Sequence, residues 1–392
     1  MDGKYMKYTK VKVKSIWEGF YSLVVFGAIF YTALQNSMAK YVMSLPNYVN
    51  WFFIFCCGVL CLTKRYKKSE LQEYFILVIG VFTGLISYYL CGSKVLVETL
   101  LFSLAAKDFN PKKVIRTYKW SLLIAILGVF ILNQLGIFPD TTYYKNGEIR
   151  YTFGFTHPNV FAFFILALIC CYYFEYRSAL RPVDAVPCLI GFILTFVFSK
   201  SETVSVILFC LLLIIIFSSI RKIYLFFERN QKLFRRMIAV GIVAGILTVI
   251  LIASELSSMS FLTNLGNTAA ARLYYANRGL DMYGVHLFGQ KIQTYNSLES
   301  ANSNYFMIDC LYVQLLVRDG IIVSFFFWGM LIRSFMKMVK NRYILAGLII
   351  MLLLIYSIME TGLAFLCFSF IFAMQFTSYD DVNQTESVLL SA

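Results

Sequence analysis

Twelve apolar runs, separated by short polar connections, limit what this 392-residue chain can become. They cover residues 16–34, 48–62, 74–90, 95–106, 120–138, 158–174, 185–198, 203–219, 237–253, 321–336, 343–359 and 361–376. A hydrocarbon core about 30 Å thick takes roughly 20 helical residues to cross. Inside it every backbone N–H and C=O needs a partner from the protein, so such runs read as helices. The composition agrees, with 59% of residues hydrophobic and 14% charged, where a soluble domain carries about 25% charged. The expected fold class is an all-α polytopic membrane protein with about twelve transmembrane helices. The run 95–106 is short and contains Glu98, which can pair with Lys94 one helical turn away. The ten cysteines fall mostly in apolar runs and show no metal-ligand spacing, so they read as small buried residues.

Charge sets the expected orientation. With a cytoplasmic N-tail, the internal pieces hold 26 of the 35 Lys and Arg, which by the positive-inside rule places both termini in the cytoplasm. The expected organisation is a basic tail at 1–15, helices one to nine across 16–253, and an outer loop at 139–157. A large extracytoplasmic loop, 254–320, joins helices nine and ten. Helices ten to twelve span 321–377 and a cytoplasmic tail takes 378–392. The basic start leads into an apolar run too long for a cleavable signal. The net charge of +14 then faces anionic lipid rather than nucleic acid. The expected location is the plasma membrane, multi-pass.

Nine cations remain on the outer side against that bias, and four sit in distinctive surroundings: Arg150, Lys200, Arg272 and Arg278. Arg offers a planar fork for phosphate, so such a cluster can hold an anionic lipid head group. Arg150 opens the segment Arg150-Tyr-Thr-Phe-Gly-Phe-Thr-His157-Pro-Asn159, directly against an apolar run. Ser199-Lys200-Ser201-Glu202 joins two runs with almost no loop, which puts Lys200 and Glu202 in an aqueous vestibule or in a mutual pair. Asp309 lies in apolar sequence and Glu360 interrupts two runs, which suits acid–base work or the orientation of an Arg. Tyr274 and Tyr275 suit sugar stacking or interfacial anchoring. The only two histidines, His157 and His286, give no metal signature, so no metal or cofactor is expected.

These motifs resemble the polytopic polysaccharide polymerases and ligases: the O-antigen polymerases of the Wzy type, the O-antigen ligases and, closest, Gram-positive capsule or exopolysaccharide polymerases. The resemblance runs from about Arg150 to Glu360. It rests most on the Arg150…Gly154-Phe-Thr-His157-Pro158-Asn159 segment. Ser199-Lys200 resembles a Ser-Arg pair, and Arg272 with Phe288-Gly289 resembles an Arg and Gly of the large outer loop. Asp309-Cys-Leu-Tyr312 with Gly320 resembles an Asp-Asn-x-Tyr…Gly segment, with Cys310 in place of Asn. The resemblance implies a helical membrane fold of the GT-C-like kind. It also implies an inverting, metal-independent glycosyltransferase that polymerises polyprenyl-diphosphate-linked oligosaccharide repeat units on the outer face. Asp309, Arg272, Arg150, His157 and Glu360 would serve catalysis, and Lys200, Arg278, Asn159, Tyr312 and Tyr274 would bind substrate. Partners would be membrane lipid, lipid-linked glycans, a flippase and a chain-length regulator. The alternatives are a ligase that moves glycan to another acceptor, and a flippase or transporter. A transporter should show internal pseudo-symmetry and mid-membrane ionisable residues, whereas here the polar residues collect at one face.

Overall fold

The computed structural model describes residues 2–64, 66, 68, 71–139, 142–145, 147–177, 180–220, 225–226, 229–253, 267–294 and 306–379. The first half holds α1 (Asp2–Gln35), α2 (Ala39–Val42), α3 (Tyr48–Leu62), α4 (Leu71–Cys91), α5 (Val95–Ala105) and α6 (Pro111–Gln134). A hairpin of β1 (Thr142–Lys145) and β2 (Glu148–Tyr151) follows, then α7 (Pro158–Phe174), α8 (Val186–Ile193) and α9 (Glu202–Ser219). Then come α10 (Gln231–Ala253), α11 (Asn267–Tyr283), α12 (Leu311–Gln314), α13 (Ile321–Lys340), α14 (Ile344–Met359) and α15 (Ser369–Ala373). Much of the expected large loop (residues 254–266 and 295–305), Asn146 and the tail beyond Tyr379 lie outside the described residues.

The fold is helical, as an all-α membrane protein requires. Among the described residues five helices are long and apolar enough to cross a membrane: Ser15–Gln35, Tyr74–Cys91, Pro111–Gln134, Glu202–Ser219 and Ile321–Lys340. Their outward faces carry exposed large apolar side chains such as Leu23, Phe82, Trp120, Val206 and Phe325. Lipid accommodates such faces, where water would drive association. At the centre, α7 buries 13 of its 17 residues and packs against α6, α9 and α14.

The run 361–376 departs from the expected twelfth helix. It is a chain of 3-10 turns, Gly362–Ala364 and Leu366–Phe368, that ends in the short α15. It passes from Glu360 at one end of the bundle to Lys337 at the other, where the Lys337 ammonium donates to the Gln375 and Thr377 carbonyls. A 3-10 turn rises about 2.0 Å per residue against about 1.5 Å in an α-helix, so this segment reaches further per residue. Its irregular backbone survives because the segment is buried inside the protein rather than facing lipid.

Charge separates the two ends of the bundle. At the Lys337 end, Glu18 pairs with Lys113 at 2.6 Å, and Glu175 pairs with Lys119 at 2.7 Å and with Arg116. At the other end three helix termini meet: the N-termini of α7 and α9 and the C-terminus of α14. Two glycines close the wall there. Gly289 (φ 85°) and Gly320 (φ 96°) press backbone to backbone, and a Cβ on either would collide with the other's strand of chain. The contact is locked by Gln290 N–H to the Arg318 carbonyl at 2.9 Å and Ile321 N–H to the His286 carbonyl at 3.0 Å.

Candidate functional site

The hairpin delivers the first cation. β1 and β2 pair antiparallel, with Tyr143 opposite Arg150 and a two-residue connection at 146–147 in which Gly147 has φ 81°. The sequence signal was present in Asn146-Gly147 between two strand-like tetrads, and it was missed in favour of a plain loop. The chain then turns at Gly154 (φ 86°), where a Cβ would lie 2.8 Å from that of Asn133. It enters α7 through His157, an N-cap in extended conformation followed by Pro158 at the first helical position.

This geometry settles His157's bonding. Its Nδ1 accepts from the Asn159 N–H at 3.1 Å, so the ring proton sits on Nε2. Burial, reinforced by the charges of Arg150 and Arg272, lowers the imidazole pKa to about 4. His157 is therefore a neutral cap that can offer one N–H to a ligand. Arg150, itself buried, donates from Nε to the Ser199 carbonyl at 2.9 Å and from Nη2 to Asn159 Oδ1 at 2.7 Å. It thus ties the hairpin to both α7 and the α8–α9 connection.

Arg272 is the second cation, on α11. Its Nη1 donates to Thr203 Oγ1 at 3.0 Å and to the Met359 carbonyl at 2.7 Å, capping the C-terminus of α14. Its Nη1 also lies 2.8 Å from Glu360 Oε1, and its Nε 3.6 Å from Asp309 Oδ2. Glu360 Oε1 thus shares Nη1 with Thr203 and the Met359 carbonyl, in a close charge-assisted contact. Burial raises the Glu360 pKa to about 7, against the pull of Arg272 and with the push of Asp309. Burial also raises the Asp309 carboxyl, and Arg272 opposes it.

Arg150, His157, Asn159, Arg272, Asp309 and Glu360 thus line one cleft of about 560 Å³. Lys200 joins them at the rim, with a left-handed backbone (φ 47°), and pairs with Glu148 of the hairpin at 2.7 Å. Of the two expected placements for Lys200, a vestibule or a pair with Glu202, the structure shows a vestibule rim and a different carboxylate. Three expected residues are elsewhere. Arg278 is exposed, its guanidinium 5.9 Å from the Phe306 ring centroid. Tyr274 is 54% exposed and outside the cleft, whereas Tyr275 lines it. Tyr312 is buried, stacks on Trp328 at 4.6 Å and donates to the Leu354 carbonyl at 3.1 Å, so it packs the core.

A second opening leads off the cleft. A groove of about 860 Å³ shares Arg150, Lys200 and Glu202 with it and continues between exposed Phe196, Phe209 and Val206. Its wall is a π-turn, Leu194–Phe198, to which the next connection is pinned by the Ser201 N–H to Thr195 carbonyl bond of 3.1 Å. Among the described residues no trio of His, Cys, Asp or Glu is placed to ligate a metal. Compared with family models, curated proteins and solved structures, the chain matches none.

Proposed function

We propose that this protein is an inverting glycosyltransferase that polymerises polyprenyl-diphosphate-linked repeat units on the outer face of the plasma membrane. The observation that carries this reading is one cleft holding two Arg and two half-buried carboxylates, opening into a groove lined by exposed apolar side chains. The groove suits a prenyl chain, with its diphosphate at the shared residues Arg150 and Lys200. Among the described residues Arg150 uses two of its five N–H groups, and the Nη2 of Arg272 is uncommitted, so both retain donors for phosphate oxygens. The N-termini of α7 and α9 add favourable dipoles there.

In the proposed reaction an acceptor hydroxyl attacks the anomeric carbon of the donor sugar. Its proton passes to Glu360, and the bond from the anomeric carbon to the diphosphate oxygen breaks with inversion. Charge develops on the diphosphate as it leaves, where Arg272 and Arg150 stabilise it. Glu360 is the better base of the two carboxylates because it lines the cleft beside Arg272, and a pKa near 7 suits both accepting and releasing a proton. Asp309 orients Arg272 from the Nε side. The test is purified protein in detergent or vesicles with a defined diphosphate-linked oligosaccharide. A ladder of products growing by whole repeat units is expected, and an unchanged substrate band with folded protein would refute the activity.

A further inference from the structure

A second cavity, of about 470 Å³, adjoins the cleft on a different wall from the groove. The two share Asn36, Met307, Thr361 and Phe365, whereas the groove and the cleft share Arg150, Lys200 and Glu202. The chemistry of its walls differs from that of the cleft. Each of its cations already has a carboxylate: Lys94 lies 3.9 Å from Glu98, and Arg318 lies 3.0 Å from Asp319. What remains is a set of neutral hydrogen-bonding side chains, including Gln35, Asn50, Ser93, Thr294 and Gln314. Two amides are already oriented, since Asn50 donates to Gln35 Oε1 at 2.8 Å and Asn36 to the Thr32 carbonyl at 2.8 Å. Glu98 accepts no hydrogen bond among the described residues.

We infer that this cavity seats the terminal sugars of the acceptor glycan. Balanced charge and mixed donors and acceptors suit hydroxyl and acetamido groups, and they do not suit a second diphosphate. Its shared wall includes Thr361, the neighbour of Glu360, so a sugar held there can present a hydroxyl to the proposed base. In an inverting displacement the nucleophile and the leaving group lie on opposite sides of the reacting carbon. The acceptor must therefore arrive by a route other than the groove that holds the leaving diphosphate, and this cavity is such a route. The inference rests on the transfer reading proposed above.

The test is protection from thiol labelling in a Cys91→Ser, Cys210→Ser background, which removes the two cysteines that are not buried. Thr294→Cys reports on the cavity and Ala271→Cys on the cleft. The probes are oligosaccharide released by mild acid from the lipid-diphosphate pool of the producing cells, and inorganic diphosphate. Oligosaccharide should slow labelling of Thr294→Cys roughly tenfold at about nine times its Kd, and diphosphate should slow only Ala271→Cys. Asn50→Leu should raise the acceptor KM roughly five- to tenfold with kcat unchanged, the loss of one or two hydrogen bonds. Diphosphate protecting Thr294→Cys as well as the sugar does, or no sugar protection at either Thr294→Cys or Ser93→Cys, would overturn the inference. A product ladder without sugar protection refutes the cavity alone. Sugar protection without a ladder keeps a saccharide site and refutes the transfer.

Discussion

Arg272 joins four groups: Thr203, the end of α14, Asp309 and Glu360. Replacing it with Lys keeps the charge but loses the planar fork, so turnover should fall while Glu360 keeps a cation. The pH dependence follows from Glu360. Its raised pKa of about 7 means that the charged, proton-accepting form grows as pH rises through that value. The rate under kcat/KM conditions should therefore climb across pH 6–8 and level off above, and Glu360→Gln should remove the climb along with most of the activity. A flat profile in the unmodified protein would move the base elsewhere. His157 has its pKa near 4 and so adds no step in that range. Its cap role predicts that His157→Asn, which keeps an accepting side chain, retains fold and most activity, whereas His157→Ala loses about 1 kcal/mol of stability.

The acidic and basic members of the cleft were legible in the sequence because each breaks an apolar context that makes an isolated charge costly. Arg278 and Tyr274, which share the stretch of Arg272, lie outside the cleft, and helix phase is the reason. Six residues advance an α-helix by about 600°, which leaves Arg278 about 120° away from Arg272, while Tyr275, three residues on, shares its face. Tyr312 follows Asp309 closely, but it lies on α12 and turns into the core against Trp328.

Close backbone approach joins the 286–290 and 318–321 segments at the cleft end of the bundle. Gly289 and Gly320 leave no room for a Cβ, and both have positive φ. Gly320→Ala should cost more than about 2 kcal/mol, visible as a lower melting temperature in detergent. Gly136, also at positive φ but with open space around it, should tolerate Ala with a smaller loss. The buried run 361–376 shows what hydropathy cannot report. Its apolar residues read as a twelfth membrane-spanning helix, because period and composition do not distinguish an α-helix from 3-10 turns clamped at one end by Lys337.

For the whole molecule, the sequence bias of Lys and Arg predicts which end faces the cytoplasm. Tyr144, exposed on the hairpin at the cleft end, and Lys113, paired with Glu18 at the opposite end, give one probe for each side. Tyr144→Cys should react with a membrane-impermeant thiol reagent in intact cells, and Lys113→Cys only after the membrane is opened. The reverse pattern would place the cleft in the cytoplasm and remove the case for a glycan acceptor outside.

The proposed transfer from a lipid diphosphate depends most on Arg272. Wild type and Arg272→Ala, matched for folded protein, should be given the same diphosphate-linked oligosaccharide and their product ladders compared over time. Losing one charge-assisted contact to a developing anion costs about 3–4 kcal/mol, so the variant should be slower by roughly a hundredfold or more. A ladder from Arg272→Ala that grows at the wild-type rate would mean that the leaving diphosphate is held elsewhere.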